Sequence, residues 1–301
     1  MNHSPDRQRI QGGNVRLNVA DLVVSLTNEP GICITGHIPS FLVDAPPQAS
    51  VNLRLDSGDG RLKDRHEVAM SEHLGWKAFA TADSSSILVE RLGGLIKATF
   101  SSEVPCQVVD VFVSKPTTAA SREELLLVEV LPLPVVTLLS GRQGLLLHSC
   151  AVALGDEGIL FAGVSGSGKS TMADLWHRFG PPLSRVVDDE HILARRVSES
   201  ALLYGAPWTR GPRAATFSRT PLKAVFFLSH SRQNQCIALS PSEALAELMS
   251  QVFLPLWSRD QLLLTLQTGA ALLQEVDCYR LPFYPNERVV GFVQDVLGGC
   301  N

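Results

Sequence analysis

Three things are scarce in this 301-residue sequence: paired cysteines, basic charge and aromatic residues. The six cysteines lie far apart and form no CxxC pair: Cys33, Cys106, Cys150, Cys236, Cys278 and Cys300. That spacing excludes both a zinc site built on such pairs and a small disulfide framework. We therefore expect reduced thiols in a cytoplasmic protein.

Acidic residues outnumber basic ones, 30 to 26, and the net charge is −4 at pH 7. Aromatic residues make up only 6% of the chain, and no stretch interleaves them with a cluster of Lys and Arg. Proteins that bind nucleic acid usually carry a basic patch. The sequence therefore predicts no nucleic-acid partner.

Long hydrophobic runs are also absent from the sequence. The most hydrophobic stretch, residues 125–139, is broken by Glu129, Pro132 and Pro134, and residues 1–11 contain no apolar secretory core. We expect neither export nor contact with a membrane. Hydrophobic residues still make up 45% of the chain, which is enough to form a buried core.

The N-terminal part of the chain has a pattern typical of strands. Short β-type runs alternate with Gly, Pro, Asn and Asp up to about residue 115. This pattern predicts a β-rich, mainly antiparallel domain over residues 1–120. Residues 121–143 are predicted to form a connecting helix and linker, because Ser121 and Glu124 have the spacing of a capping box. Pro132 and Pro134 are expected to interrupt that helix.

Residues 144–301 are predicted to form an α/β domain of mixed strands with flanking helices. The runs predicted as strands are 145–154, 158–162, 185–188, 191–197, 201–204, 222–229 and 278–283. One crossover helix lies among them. Further helices are expected to begin at Ser240 and Ser258, each at a capping-box sequence, and a last one to span 286–297.

The stretch with the clearest chemical meaning is the phosphate-loop motif, Gly163–Thr171. It consists of Gly163, Val164, Ser165, Gly166, Ser167, Gly168, Lys169, Ser170 and Thr171. Such glycines let backbone N–H groups surround a polyphosphate, while Lys169 reaches its outer phosphates and the Ser170 hydroxyl ligates Mg²⁺. An apolar run precedes the motif and an amphipathic helix follows it, so that the helix N-terminus adds positive charge. The sequence therefore predicts that these nine residues bind a nucleoside triphosphate.

Two adjacent carboxylates, Asp188 and Asp189, close the apolar run that follows the crossover helix. A right-handed crossover is expected to place this run parallel and adjacent to the strand before the motif. One carboxylate can then hold magnesium while the other accepts a proton from an attacking hydroxyl. The alternative is an aspartate pair that only caps a turn. Which aspartate takes which role stays open.

His148 lies inside an otherwise apolar run. Taken alone, it is expected to be a satisfied core histidine. However, the order of His148, the motif, one helix and then Asp188-Asp189 resembles the C-terminal catalytic domain of HPr kinase/phosphorylase. The fold of that domain is related to phosphoenolpyruvate carboxykinase. The resemblance covers residues 145–196 and is nearer to HPr-kinase-like proteins, including those of lasso-peptide gene clusters, than to HPr kinase itself.

The resemblance implies a catalytic centre made of His148, Lys169, Asp188 and Asp189. It also implies that Ser170 and the two aspartates bind magnesium and that the whole motif, Gly163–Thr171, binds ATP. The sequence also departs from the HPr kinase pattern at one place. The region 205–213 contains no carboxylate where HPr kinase has an acidic residue, so a second metal and phosphorylase activity are not implied. Arg210 and Arg213 either stabilise the transferring phosphoryl group or are solvated loop charges.

The leading hypothesis is a kinase that uses ATP and Mg²⁺ to phosphorylate a hydroxyl of a peptide, protein or small molecule. The alternative is a regulatory module that binds or slowly hydrolyses a nucleotide. A carboxykinase-type enzyme is disfavoured, because the additional metal ligands and an arginine clamp for the acid are not found. The sequence identifies neither the acceptor nor a preference for ATP over GTP. It also leaves open the role of the N-terminal domain, the reverse reaction and whether the chain forms a homo-oligomer.

Overall fold

The structure of the chain is a computed structural model. It describes residues 8–36, 38–56, 65–71, 76–81, 86–91, 94–100, 105–114, 124–126, 131–208, 218–274 and 276–299. The described residues fall into two compact units. The first comprises Met1–Arg142 and Leu254–Thr265, and the second comprises Gln143–Phe253 and Leu266–Asn301. Compactness does not establish independent folding, so the three domain segments expected from the sequence stay a prediction.

The first unit is built on one β-sheet. Its described strands are β1 (Gln8–Val19), β2 (Leu22–Gly36), β3 (Ala49–Asp56), β4 (Arg65–Ser71), β5 (Trp76–Thr81), β6 (Ser86–Arg91), β7 (Gly94–Phe100), β8 (Val108–Ser114) and β9 (Glu124–Leu126). The strand order is β1-β2-β3-β8-β7-β6-β5-β4, with β9 beside β2. Strand β3 is parallel to β2 and β8, and β9 is parallel to β2, whereas the other neighbours are antiparallel. The predicted β-rich, mainly antiparallel region is confirmed.

Strand β8 illustrates how the sequence produces this sheet. Val109, Val111 and Val113 are buried, while Asp110 and Phe112 between them are only half-buried. Successive side chains of a strand point to opposite faces, so this alternation buries one face. The stiff β-branched valines also favour the extended backbone.

The segment predicted as a connecting helix has a different structure. Residues Glu124–Leu126 form strand β9, and helix α1 spans Pro132–Ser140. The helix prediction was thus wrong at residues 124–126 and is confirmed over 132–140, while Ser121 lies outside the described residues. The expected interruption was wrong, because Pro132 and Pro134 begin the helix. Proline is tolerated in the first helical turn, where backbone N–H groups have no intrahelical partner. Helix α1 is buried on all sides, so tertiary packing outweighs the absence of a capping side chain.

The second unit contains a mixed sheet flanked by helices. Its strands are β10 (Gly144–His148), β11 (Cys150–Leu154), β12 (Glu157–Ala162), β13 (Ser184–Asp188), β14 (His191–Val197), β15 (Ser200–Gly205), β16 (Thr220–His230), β17 (Ile237–Ala238) and β18 (Asp277–Phe283). The helices are α2 (Lys169–Phe179), α3 (Pro241–Met249), α4 (Arg259–Leu272), of which the part up to Thr265 belongs to the first unit, and α5 (Arg288–Leu297). The strand order is β10-β14-β15-β16-β12-β11-β13, and β18 pairs with β16 and β17. The predicted α/β class is confirmed.

The run 145–154 was predicted as one strand, and that prediction was wrong. The chain breaks at Ser149, so that β10 pairs with β14 whereas β11 pairs with β12 and β13. His148 consequently lies at the end of a strand rather than inside one. The apolar residues on both sides of the break conceal it from pattern analysis, since periodicity alone does not show where a buried run changes partner.

The strand that ends at Asp188 is also placed differently from the prediction. Strand β11 lies between β12 and β13 and is antiparallel to both. The expected adjacency of β12 and β13 was therefore wrong, because β11, the first strand of the β11–β12 hairpin, lies between them. Two strands that are antiparallel to the same neighbour run in the same direction, so β12 and β13 still end at the same edge of the sheet. That edge contains the glycine loop, which we define as Gly163–Gly168.

Helix α2 packs on the sheet through Met172 and Trp176, whereas Phe179, which the helical spacing predicts on the same face, is 52% exposed. Met172 and Trp176 are buried, and the ring of Trp176 lies against Phe161 of β12 with a centroid distance of 6.2 Å. Gly180 ends the helix, and its N–H donates to the Trp176 carbonyl. The capping box predicted at Ser240 is also confirmed, because Ser240 and Glu243 exchange both hydrogen bonds. None of the helices in the described ranges has the length and apolar character needed to span a membrane.

Candidate nucleotide site

The glycine loop joins a buried strand to the N-terminus of helix α2. Gly163, Gly166 and Gly168 have φ angles of 150°, 81° and 100°, which side chains rarely permit. Val164 and Ser165 are exposed at the tip of the loop. Glycine at these three positions lets the backbone turn sharply into the helix, whose first N–H groups and dipole favour an anion.

Lys169 is buried at the base of the loop, with only 6% of its surface exposed. Its ammonium donates to the Gly163 carbonyl at 2.6 Å and to the Val164 carbonyl at 3.2 Å. Within the described ranges, no carboxylate lies within ion-pair distance of this ammonium, and burial lowers the pKa of Lys169. A buried ammonium that is hydrogen-bonded only to carbonyl oxygens lacks a counter-charge, so an anion binds favourably beside it.

Ser167 gives an independent test of whether a phosphate suits the loop. Its side chain is 4% exposed, and its Oγ has no hydrogen-bond partner. A Cβ at Gly163 would lie 2.6 Å from this Oγ, so only glycine leaves the hydroxyl room inside the loop. Buried hydroxyls are normally hydrogen-bonded. An orphaned hydroxyl beside a buried ammonium therefore fits a phosphate group.

Gly168 is closely packed against Phe283, the last residue of β18. A Cβ at Gly168 would lie 2.7 Å from Cζ of Phe283. We expect Gly168→Ala to displace the loop and weaken nucleotide binding at least about tenfold, because strain of about 1–2 kcal/mol at this φ adds to the clash. Isothermal titration of the variant with ATP measures the effect.

Gly155→Ala is the matched control for that substitution. Gly155 also has a positive φ, of 59°, but it lies in the β11–β12 turn and a Cβ there would meet nothing within 4 Å. It should lose stability without losing affinity. Equal affinities of the Gly168 variant and the wild type would contradict the expected displacement.

The two aspartates differ in their surroundings. Asp188 is 3% exposed, and its Oδ1 accepts backbone N–H groups from Glu190 at 3.0 Å and His191 at 3.2 Å. Its Oδ2 accepts the N–H of Ala206 at 3.2 Å. Asp188 thus joins the turn between β13 and β14 to the segment that follows β15. Asp189 is half-buried.

Replacing Asp188 with Asn tests this bonding role. An amide keeps one acceptor oxygen but turns an NH₂ group towards a backbone donor, so the variant should lose about 1–3 kcal/mol of stability. Urea unfolding measures the loss. A stability equal to that of the wild type would contradict the role. Asp156→Asn, in the exposed β11–β12 turn, is the control.

Cys150 connects the aspartates to the loop. It pairs with Phe161 of β12, and its neighbour Ala151 pairs with Asp188. Its buried thiol donates to the Lys169 carbonyl at 3.3 Å. Burial raises the pKa of this thiol far above its usual range, the charge of Asp189 raises it further, and Lys169 opposes the rise. The side chains of Asp189 and Lys169 are therefore both within electrostatic range of one thiol.

His148 lies at the same edge of the sheet. It is half-buried and pairs with the buried His191, with ring centroids 6.1 Å apart. The backbone N–H of His191 donates to Asp188, so the two histidines lie beside this aspartate. The structure thus brings His148, Asp188 and Asp189 together at the edge that carries the glycine loop.

Ser170 and Thr171 lie in the first turn of α2 and are exposed. No three His, Cys, Asp or Glu side chains of the described part of the chain gather as a metal site. Mg²⁺ needs no such cluster, because it usually combines one or two protein oxygens with phosphates and water. Arg210 and Arg213 lie outside the described residues.

Pattern analysis missed two histidines of this edge. His191 follows the aspartate pair with only Glu190 between them, and its ring lies against that of Phe253 with a centroid distance of 5.7 Å. His230 ends β16 and contacts the glycine loop. The only sequence signal was a histidine at the start of one apolar run (His191) and at the end of another (His230). Such a pattern is too common to indicate a site.

The protein is a mixed α/β protein. At this edge of its sheet, a phosphate-loop motif joins a buried strand to an amphipathic helix. The sequence family described as SynChlorMet cassette protein ScmC matches residues 112–265, just over half of the chain. The chain belongs to this family.

Other comparisons are less informative. No curated protein matches the sequence. Among solved structures, the chain is similar to the Hpr(Ser) kinase/phosphatase from Coxiella burnetii, with 9% identity and a TM-score of 0.30. The match covers 51% of this chain and 94% of that one. At that TM-score the similarity does not by itself assign a fold or an activity.

Proposed function

We propose that this protein is an ATP- and Mg²⁺-dependent phosphotransferase that phosphorylates a hydroxyl group. The observation that carries the proposal is Lys169, a buried ammonium at the glycine loop whose described partners are the carbonyls of Gly163 and Val164. The orphaned Ser167 hydroxyl beside it supports phosphate as the anion that this loop binds.

The position of the aspartates supports transfer rather than binding alone. The acceptor hydroxyl oxygen forms a bond to the γ-phosphorus, and the bond from that phosphorus to the bridging oxygen breaks. The bridging oxygen keeps the electron pair and leaves with ADP. The hydroxyl proton goes to a carboxylate, for which we assign Asp189, because it is half-buried whereas Asp188 is 3% exposed and bonded to backbone N–H groups through both oxygens.

Ser170 is the residue proposed to hold magnesium, together with phosphate oxygens and water. When bound, the ion supplies positive charge that neutralises phosphate oxygens. Lys169 and the loop N–H groups orient the phosphates, and the half-buried His148 donates a hydrogen bond at the acceptor side of the site. The loop, the aspartates and His148 thus divide binding, proton transfer and orientation between them.

The test is incubation of the full chain with γ-labelled ATP, Mg²⁺ and a panel of hydroxyl-bearing peptides, proteins and small molecules. Label in an acid-stable phosphate ester of one acceptor is the expected result. Label released only as free phosphate would favour the regulatory module. Absence of both nucleotide binding and turnover would overturn the proposal.

A further inference from the structure

His230 is brought to the glycine loop by strand pairing. Strand β16 runs parallel to β12, and Ala162 at the end of β12 pairs with Phe227. Strand β16 then continues for three residues to His230. Because the two strands end at the same edge, this extension carries the imidazole alongside the loop that follows β12.

The imidazole makes a direct contact with the loop backbone. Nε2 of His230 lies 2.6 Å from the carbonyl oxygen of Gly166. A carbonyl only accepts hydrogen bonds, so the imidazole N–H donates. The ring also stacks on Phe283 with a centroid distance of 6.0 Å and an angle of 27°, and Phe283 is the side chain that packs against Gly168. His230 is therefore supported by the sheet while it holds the loop.

The contact fixes one particular peptide group. The carbonyl of Gly166 and the N–H of Ser167 belong to the same planar unit and point in opposite directions. His230 holds the carbonyl, and the N–H donates to the Val164 carbonyl at 3.0 Å. Gly166 has no side chain to restrict its rotation, and its φ is 81°. Without His230, this peptide would lose one of its two restraints.

We propose that His230 is a positioning residue that preorganises the glycine loop for phosphate. The inference rests on the proposed nucleotide site, and it adds a residue that lies outside the phosphate-loop motif. A loop already held in place loses less conformational freedom on binding, so the hydrogen bond increases affinity without a contact between His230 and the nucleotide.

The test compares ATP binding by isothermal titration in the wild type, His230→Ala and His230→Gln. The alanine variant should bind ATP about three- to tenfold more weakly, as expected for one hydrogen bond. Glutamine, whose amide N–H can donate, should restore most of the affinity. His177→Ala is the control, since His177 is exposed and about 12 Å along α2 from Lys169.

A second measurement needs no nucleotide. Amide hydrogen exchange of residues 164–169 in the free protein should be faster in His230→Ala than in the wild type, with the melting temperature unchanged. If the wild type binds no ATP, the proposed function fails, while the exchange rates still decide the role of His230. Equal exchange and equal affinity in wild type and His230→Ala would overturn the inference. Equal losses in the alanine and glutamine variants would also overturn it, because the hydrogen bond would then not matter.

Discussion

Replacing Lys169 with Met is expected to lower both ATP affinity and the rate of phosphoryl transfer by about a hundredfold or more. The ammonium is buried at the glycine loop and is the side-chain cation found there among the described residues. Charge-assisted bonds to phosphate are strong in such a site because little water competes for them. Titration with ATP and a single-turnover transfer assay measure the two quantities.

The same substitution should not destabilise the protein without nucleotide. Burial lowers the pKa of Lys169, which means that the folded environment disfavours its charged form. Methionine removes that charge and keeps the apolar stem, so the free variant should melt at the temperature of the wild type or above it. A variant that melts much lower would show that Lys169 holds the fold rather than an anion.

Lys223→Met is the matched control for Lys169. Lys223 is exposed at the start of β16, and its ammonium lies 3.3 Å from Glu157. Surface ion pairs contribute about 0–1 kcal/mol. This variant should therefore bind ATP like the wild type, and a similar loss in both lysine variants would contradict a local role for Lys169.

Replacing Asp189 with Asn is expected to lower phosphoryl transfer by about 10²–10⁴-fold while ATP affinity changes only a few fold. Asparagine has nearly the same shape but accepts no proton at neutral pH. Transfer to the acceptor is measured under saturating ATP, and affinity is measured separately by titration. Asp156→Asn, at the opposite edge of the sheet, is the control and should leave both values unchanged.

Comparing the Asp188→Asn and Asp189→Asn variants separates the roles of the two aspartates. Asp188 is buried and accepts three backbone N–H groups, so its variant should lose more stability than that of the half-buried Asp189. If Asp188→Asn folds normally and loses transfer, while Asp189→Asn remains active, the assignment of the base is reversed. Free phosphate release that is unaffected by either change would favour the regulatory alternative.

Much of the candidate site was predictable because its signals are local. The phosphate-loop motif, the apolar run before it and the helix face of Met172 and Trp176 lie within one short segment. Glycine at positive φ and the 3.6-residue helical period are properties of neighbouring residues. The capping box at Ser240 was found for the same reason.

Other elements depend on partners far along the chain. The break at Ser149 reflects a change of strand partner, and the helix at Pro132 is stabilised by burial rather than by its own capping residues. Local propensity is weak at such positions, so tertiary context decides the structure.

The sequence by itself determined the strand, glycine loop and helix around Gly163–Thr171, and the presence of two carboxylates one helix later. The tertiary structure alone decided that β11 separates the two strands, that Asp188 is occupied by backbone N–H groups, and that His191 and His230 reach the same edge. The physical reason is that sheet order is set by hydrogen bonds between distant segments. No local pattern of the phosphate-loop motif specifies which strands those are.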